Sequence, residues 1–136
     1  MASFNKFQSL VEAMAEKKHN LGIDQLKIAL TDVAPVNTNT VLANITEISY
    51  TNLSSRDITT TSSAQTLGTY KLTLTDLTLT ASGGSVAQFR YVVLYNDTAT
   101  NDELIGWWDV GSEVNMIDGS TFLINFSDSN GVLQNA

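Results

Sequence analysis

Two neighbouring segments of this sequence are rich in apolar and aromatic residues and are separated by a short polar loop. They are residues 89–97 and 104–109, and they contain both tryptophans and two of the four tyrosines. Taken as a strand, the first segment has apolar side chains on both faces: Phe89, Tyr91, Val93 and Tyr95 on one, and Val92 and Leu94 on the other. A strand covered on both faces belongs in the middle of a sheet, and the short loop suits a hairpin. We therefore predict an antiparallel central pair that the rest of the chain must cover.

Several further segments alternate apolar and polar residues, as strands with one buried face do. The first is residues 26–31, and the last is residues 122–126. Between them, residues 69–81 contain two alternating runs whose parity changes at Thr75 and Asp76, so we expect a bulge or a tight turn there. Residues 41–50 alternate imperfectly, which predicts one or two strands.

Turn residues divide the remaining β-region. We expect an edge strand at residues 58–63, where β-branched and small polar residues dominate. Residues 82–85 predict a hairpin turn into the central pair, and residues 110–117 predict a short strand. A turn at residues 128–131 is expected to lead into a closing strand at 132–133. About eight or nine short strands with frequent turns are typical of a β-sandwich or a small barrel.

The N-terminal segment has a helical rather than an alternating pattern. Phe4, Phe7, Val11 and Met14 recur at spacings of three and four residues, which predicts one amphipathic helix over residues 3–19. An isolated helix of this length is marginal in water, so its apolar side must pack on a sheet or on another subunit.

With 136 residues, the chain has the length of one domain. We predict a single domain over residues 1–136, which is mainly β, with the helix at 3–19 and an antiparallel, jelly-roll-like β-sandwich at 24–134. No run of about 18 apolar residues occurs and the N-terminus lacks a secretion signal, so we expect neither a membrane partner nor signal-directed secretion.

The charge of the chain argues against nucleic-acid binding. It has a formal net charge of −7, and only 15% of its residues are charged, whereas binding to phosphate backbones needs clustered lysine and arginine. The sequence contains no cysteine, which excludes disulfides, thiolate metal ligands and a cysteine nucleophile.

No set of residues in the sequence indicates catalysis. His19 is the only histidine and follows Lys18 near the predicted helix end, so we expect a solvated residue there and no acyl-transfer site. Oxygen-bearing side chains cluster within residues 97–103 and 128–131, yet neither segment matches a calcium-binding loop, and solvated turns are the preferred interpretation. We predict no catalytic residue, no cofactor and no metal ligand, and therefore not an enzyme.

Trp107 and Trp108 are consecutive, so a strand turns them to opposite faces. We expect one in the core and the other on the surface or at an interface, with a glycan-stacking platform as the alternative. The apolar side of the helix and one of the tryptophans are the predicted protein interface. Its candidate residues are Phe4, Phe7, Val11, Met14, Trp107 and Trp108.

Three stretches of the sequence form a recognisable set. They are residues 19–22 continuing into 25–31, residues 89–97, and residues 104–109 with Asp118, Gly119 and Phe122. Together they resemble small virion structural proteins of tailed bacteriophages, and the similarity covers nearly the whole chain. These motifs mark core and turns, so no functional residue is carried over.

This resemblance implies most readily a capsid decoration or cement protein, a small β-sandwich bound outside the capsid shell. The implied partners are the major capsid protein and further copies of this chain. The implied location is the capsid exterior of a virion, after synthesis in the bacterial host cytoplasm. A tail component, such as a tube, adaptor or fibre-associated protein, is the second interpretation, and a glycan-binding or hydrolytic domain on the virion is the third.

Overall fold

Strands dominate the protein, and their pairings are antiparallel. The computed structural model describes residues 3–126 and 131–135. Within these residues lie one α-helix and ten strands: β1 Asn5–Lys6, α1 Leu10–Ala15, β2 Leu26–Thr31, β3 Asp57–Ile58, β4 Thr60–Thr66, β5 Thr69–Leu74, β6 Leu77–Thr80, β7 Phe89–Asn96, β8 Leu104–Val114, β9 Thr121–Ile124 and β10 Leu133–Asn135. The same described residues include a 3-10 turn at Leu42–Asn44. The prediction of a mainly β, antiparallel protein with one helix near the N-terminus is confirmed.

The predicted central pair forms the middle of a five-stranded sheet. The strand order is β1-β8-β7-β2-β3, so β7 lies between β8 and β2. Val92 pairs with Trp108, and Val93 pairs with Trp107. Because successive residues of a strand face opposite sides, these pairs contribute to two buried clusters, one on each face of the sheet.

The larger cluster, here called the main core, joins the five-stranded sheet to two smaller sheets. The smaller sheets have the orders β10-β5-β4 and β6-β9. Fully buried aliphatic side chains of the main core come from β2, β5, β6, β7 and β9: Ile28, Leu72, Leu79, Leu94 and Ile124. The second cluster lies on the other face of the five-stranded sheet and is built around Phe7, Val93, Tyr95 and Leu104.

Side-chain alternation follows the sequence in β2 but not at the start of β7. Ile28 lies in the main core and Ala29 in the second cluster, as predicted. The register between β7 and β8 shifts between Phe89 and Tyr91, and this bulge brings Phe89 into the main core together with Val92. The prediction that Phe89 shares a face with Tyr91 is therefore wrong, because a bulge reverses the parity of a strand.

The parity change within residues 69–81 marks the boundary between β5 and β6, which belong to different sheets. Asp76 lies at this boundary and accepts a hydrogen bond from the Phe126 N–H at 2.9 Å. The prediction of a turn between two strands is therefore confirmed. The single edge strand expected at residues 58–63 is instead divided between β3 and β4, which border two different sheets. The edge position is confirmed, and the single strand is wrong.

The helix predicted over residues 3–19 is wrong in extent. Helix α1 covers only Leu10–Ala15, and Asn5–Lys6 forms β1, which pairs with the outer edge of β8. Among the described residues, no helix is both long and apolar enough to cross a bilayer.

Two aromatic contacts explain why the first residues are extended. Phe4 and Phe7 are three residues apart, a spacing that shares a face in a helix but not in a strand. The Phe4 ring lies 5.2 Å from the Trp108 ring on the main-core side, and the Phe7 ring lies 4.7 Å from the Trp107 ring on the other side. An extended segment reaches both tryptophans at once, which a helix cannot do.

Three further expectations for the β-region are corrected. Residues 82–85 do not form a hairpin turn into the central pair, since β6 pairs with β9 and not with β7. Residues 41–50 contain the 3-10 turn and isolated bridges instead of a strand. Residues 110–114 continue β8, so no new strand begins there. The closing strand is confirmed as β10, whereas residues 128–130 of the expected turn lie outside the described residues.

The close approach of the N-terminal segment to β8 depends on Gly106. A Cβ added there would overlap the Phe4 ring and lie 2.8 Å from the Asn5 carbonyl oxygen. We expect Gly106→Ala to displace β1 and to lower the free energy of unfolding by about 1–3 kcal/mol, the usual cost of overpacking. Gly22→Ala is the control, because a Cβ at Gly22 meets no atom closer than 3.5 Å. Urea unfolding measures both variants, and equal midpoints would contradict this role of Gly106.

Candidate functional site

The six predicted interface residues differ widely in exposure. Phe7 and Trp108 are buried in the core of the chain itself. Phe4, Met14 and Trp107 are partly buried against the two clusters. Val11, at 59% exposure, is the one of the six with a largely free side chain. Contact of these residues with another protein stays a prediction.

The two tryptophans lie on opposite faces of β8, as their consecutive positions predict. Trp108 lies between Phe4 and Phe126, with ring centres 5.2 and 5.5 Å away. A glycan-stacking platform needs a free aromatic face. Trp107 packs on Phe7 instead, so the arrangement favours a packed aromatic cluster.

Four polar side chains meet where the β7–β8 loop approaches the segment that follows α1. We call His19, Asp24, Asn96 and Glu103 the polar cluster. His19 and Glu103 are each 8% exposed, and Asn96 is fully buried. Asp24 Oδ2 accepts hydrogen bonds from the Asn96 side-chain amide at 2.7 Å and from the Asn20 N–H at 2.8 Å. The expectation that His19 is solvated is therefore wrong.

The orientation of the Asn96 amide is determined by its neighbours. Its Oδ1 accepts hydrogen bonds from the N–H groups of Thr98 and Ala99 at 3.0 and 3.1 Å, a turn-forming arrangement that asparagine favours. Its Nδ2 therefore donates to Asp24 and to His19 Nδ1, the latter at 2.9 Å. Because Nδ2 is a donor, Nδ1 must be the accepting nitrogen of a neutral imidazole whose proton lies on Nε2.

Two buried atoms of the polar cluster, His19 Nε2 and Glu103 Oε2, have no hydrogen-bond partner within the part of the chain that the structure describes. The other carboxylate oxygen, Glu103 Oε1, accepts the Asn101 N–H at 3.3 Å. Burial lowers the pKa of His19, whereas the carboxylates of Glu103 and Asp24 act to raise it. An unsatisfied buried polar group lowers the free energy of unfolding by about 1–3 kcal/mol. The polar cluster is therefore less stable than a fully hydrogen-bonded network would be.

An open cleft of about 470 Å³ runs beside the polar cluster. One wall is the segment after α1, with Lys17, Lys18, Asn20 and Asp24, and the other is the β7–β8 loop from residue 98 to Glu103. A smaller cleft of about 180 Å³ shares Lys18, Asn101 and Glu103 with it. Lys17 and Asp102 have positive φ angles of 65° and 52°, a conformation that residues other than glycine adopt rarely.

The geometry does not make His19 a general base. The lone pair on Nδ1 is engaged by Asn96, and Nε2 carries the proton. Among the described residues, no group of three or more histidine, aspartate or glutamate side chains is placed to hold a metal ion. In the acidic loop, burial raises the pKa of Asp102, and the nearby carboxylates of Asp97 and Glu103 raise it further. Residues 128–130 of the second acidic segment lie outside the described residues.

Local sequence patterns predict only part of the polar cluster. Asn96 ends a strand and is followed by Asp97 and Thr98, a pattern typical of an asparagine-centred turn. His19 lies 77 residues from Asn96, and no local pattern indicates that the two side chains meet. The polar cluster is therefore not predicted from the sequence.

Comparisons with known proteins provide no family assignment. No protein-family model matches the chain, and neither a curated protein nor a solved structure is significantly similar to it. The resemblance to phage structural proteins therefore depends on the sequence motifs alone.

The carboxylate of Glu103 is expected to influence the titration of His19. Glu103→Gln removes a negative charge that favours the imidazolium, so the pKa of His19 should fall further below its ordinary value. An NMR titration of the imidazole measures this change. The control is Glu113→Gln, which removes the same charge near the opposite end of β8. An unchanged or raised pKa of His19 in Glu103→Gln would contradict the electrostatic contact.

Proposed function

We propose that this protein is a structural component of a tailed-bacteriophage virion, and specifically a capsid decoration protein. Its partners would be the major capsid protein and further copies of itself, on the exterior of the capsid. The motif resemblance supplies the family. The structural observation that carries the proposal is the free, uncharged edge strand β4, because such an edge is suited to pairing with another chain.

Strand β4 is the longest of the strands that border a sheet. It spans seven residues at the edge of the sheet β10-β5-β4, and its outer side has no strand neighbour among the described residues. The other bordering strands have only two, three or four residues. Its sequence, TTSSAQT, contains neither a charge nor a proline, two of the features with which proteins protect exposed edges. A bulge, which is a third such feature, lies between Thr60 and Ser62 and leaves residues 62–66 as the regular part of the edge. A partner strand that covers this regular part would explain why it contains neither a charge nor a proline.

We further propose that the sheets form an antiparallel β-sandwich of jelly-roll type. The support is the composition of the main core. Side chains from β2 and β7 of the five-stranded sheet and from β5, β6 and β9 of the smaller sheets meet in one buried cluster. Two sheet layers that share one core are the basis of a sandwich.

A charge on β4 should weaken assembly without unfolding the protein. Ser62 is exposed on β4, and Ser62→Lys places a lysine on the edge, which opposes pairing with another strand. We expect reduced self-association in light scattering and reduced co-sedimentation with capsids. The control is Ser112→Lys, which adds the same charge at an exposed position of β8. Equal assembly of the two variants would argue against β4 as the contact.

Val11 tests whether the helix also contributes to the interface. Val11→Asp should leave the fold intact, because the side chain is 59% exposed, and should reduce binding to capsids if a neighbour covers α1. Val33→Asp is a matched control with the same residue types at 57% exposure. Capsid co-sedimentation compares the two variants. If both bind like the unmodified protein, α1 is not part of the contact.

The location of the protein on purified virions distinguishes decoration from the tail alternative. A cryo-electron-microscopy reconstruction should show its density outside the capsid, at the junctions between capsomers. Density in rings on the tail would replace the decoration proposal with a tail component. Absence of the protein from the particle would reject the virion proposal altogether.

A further inference from the structure

The polar cluster joins two parts of the chain through one amide group, that of Asn96. On one side, Oδ1 shapes the β7–β8 loop through the N–H groups of Thr98 and Ala99. On the other side, Nδ2 reaches His19 Nδ1 and Asp24 Oδ2. All four bonds require the present orientation, because a flipped amide would turn Nδ2 toward two N–H donors and Oδ1 toward a carboxylate oxygen.

Protonation of His19 is incompatible with this arrangement. Nε2 already carries a proton, so a second proton must go to Nδ1. The new N–H would point at Asn96 Nδ2, which is only 2.9 Å away. Two facing donors repel each other, and the amide cannot flip without losing its other three bonds. Acid must therefore separate His19 from Asn96.

We propose that the Asn96–His19 hydrogen bond is an acid-sensitive latch that holds residues 17–20 against the β7–β8 loop and releases them when His19 takes up a proton. Release widens the cleft between the two walls. Gln25 remains attached to the loop, since its N–H donates to Thr98 Oγ1 at 2.8 Å and its carbonyl accepts the Asp97 N–H at 2.9 Å. Leu21 is also held in place, because its side chain is buried in the main core. The movement is therefore confined to the residues before Leu21. The latch does not depend on the proposed virion role.

The charged groups around His19 come from four parts of the chain. Glu103 immediately precedes β8, and Asp24 lies in the turn before β2. Both carboxylates favour the protonated imidazole. The adjacent residues Lys17 and Lys18 line the large cleft. On α1, Glu12 lines the smaller cleft beside Glu103.

Burial outweighs the carboxylates, so the pKa of His19 in the folded protein lies below its ordinary value of 6.5. Between these two values the unfolded chain binds more protons than the folded chain. The stability that neutral His19 contributes is therefore fully present above pH 6.5. It is lost as the pH falls from that value toward the folded pKa, and the latch opens in the same direction.

Amide hydrogen exchange of the full chain tests the latch. Between about pH 7.5 and about pH 5, the protection factors of the Thr98, Ala99 and Asn20 amides should fall roughly tenfold, the equivalent of one hydrogen bond. The midpoint should coincide with the NMR titration of the His19 imidazole. The Ala81 amide donates to the Ser120 carbonyl next to the paired strands β6 and β9, and it should keep its protection.

His19→Asn distinguishes the latch from general effects of acid. The asparagine oxygen offers Asn96 an acceptor near the position of Nδ1 and does not titrate in this range, so protection of the loop should no longer depend on pH. If this variant does not fold, the imidazole nitrogen chemical shifts of the unmodified protein test the latch through the tautomer of His19. They must show the proton on Nε2 at neutral pH.

Several results would overturn the latch. One is loss of Ala81 protection together with Thr98, which indicates global unfolding. Another is a proton on Nδ1 at neutral pH, and a third is loop protection that rises in acid, as when imidazolium pairs with Asp24. Persistent pH dependence of the loop in His19→Asn would also reject it.

Discussion

The pairing of β7 with β8 is the interaction on which the rest of the structure depends. Val92 opposite Trp108 and Val93 opposite Trp107 place one indole on each face of the central sheet. Each tryptophan is a large apolar surface that must be covered. Phe126 and Phe4 cover one, Phe7 covers the other, and segments from both ends of the chain are thereby drawn to the same strand.

The strands that sequence analysis predicts correctly are those in which one local pattern has one interpretation. Alternation in β2 and the parity change before β6 are of this kind. The spacing of Phe4 and Phe7 has two interpretations, and the tertiary contacts with the tryptophans select the extended one. The turn at residues 82–85 ends a strand but does not specify the partner of β6, because strand pairing is decided by the whole core.

The polar cluster is less predictable than the core for a physical reason. Apolar periodicity is a signal that many residues share. The protonation state of His19, in contrast, is decided by one hydrogen bond to Asn96 and by the burial of the ring. A lysine followed by a histidine is a pattern typical of the solvent-exposed end of a helix. The local sequence predicts the asparagine turn at the end of β7. It does not predict that Asn96 also binds the distant segment that contains His19 and Asp24.

The N-terminal segment packs on both faces of the central sheet, with Phe4 on the face of Trp108 and Phe7 on the face of Trp107. The observed register places Phe4 over Gly106, where any Cβ atom would overlap the ring. A chain with one residue more or one fewer between the two rings would turn both to the same face. One tryptophan would then lose its cover while the other was crowded, so length matters here as much as the identity of the residues.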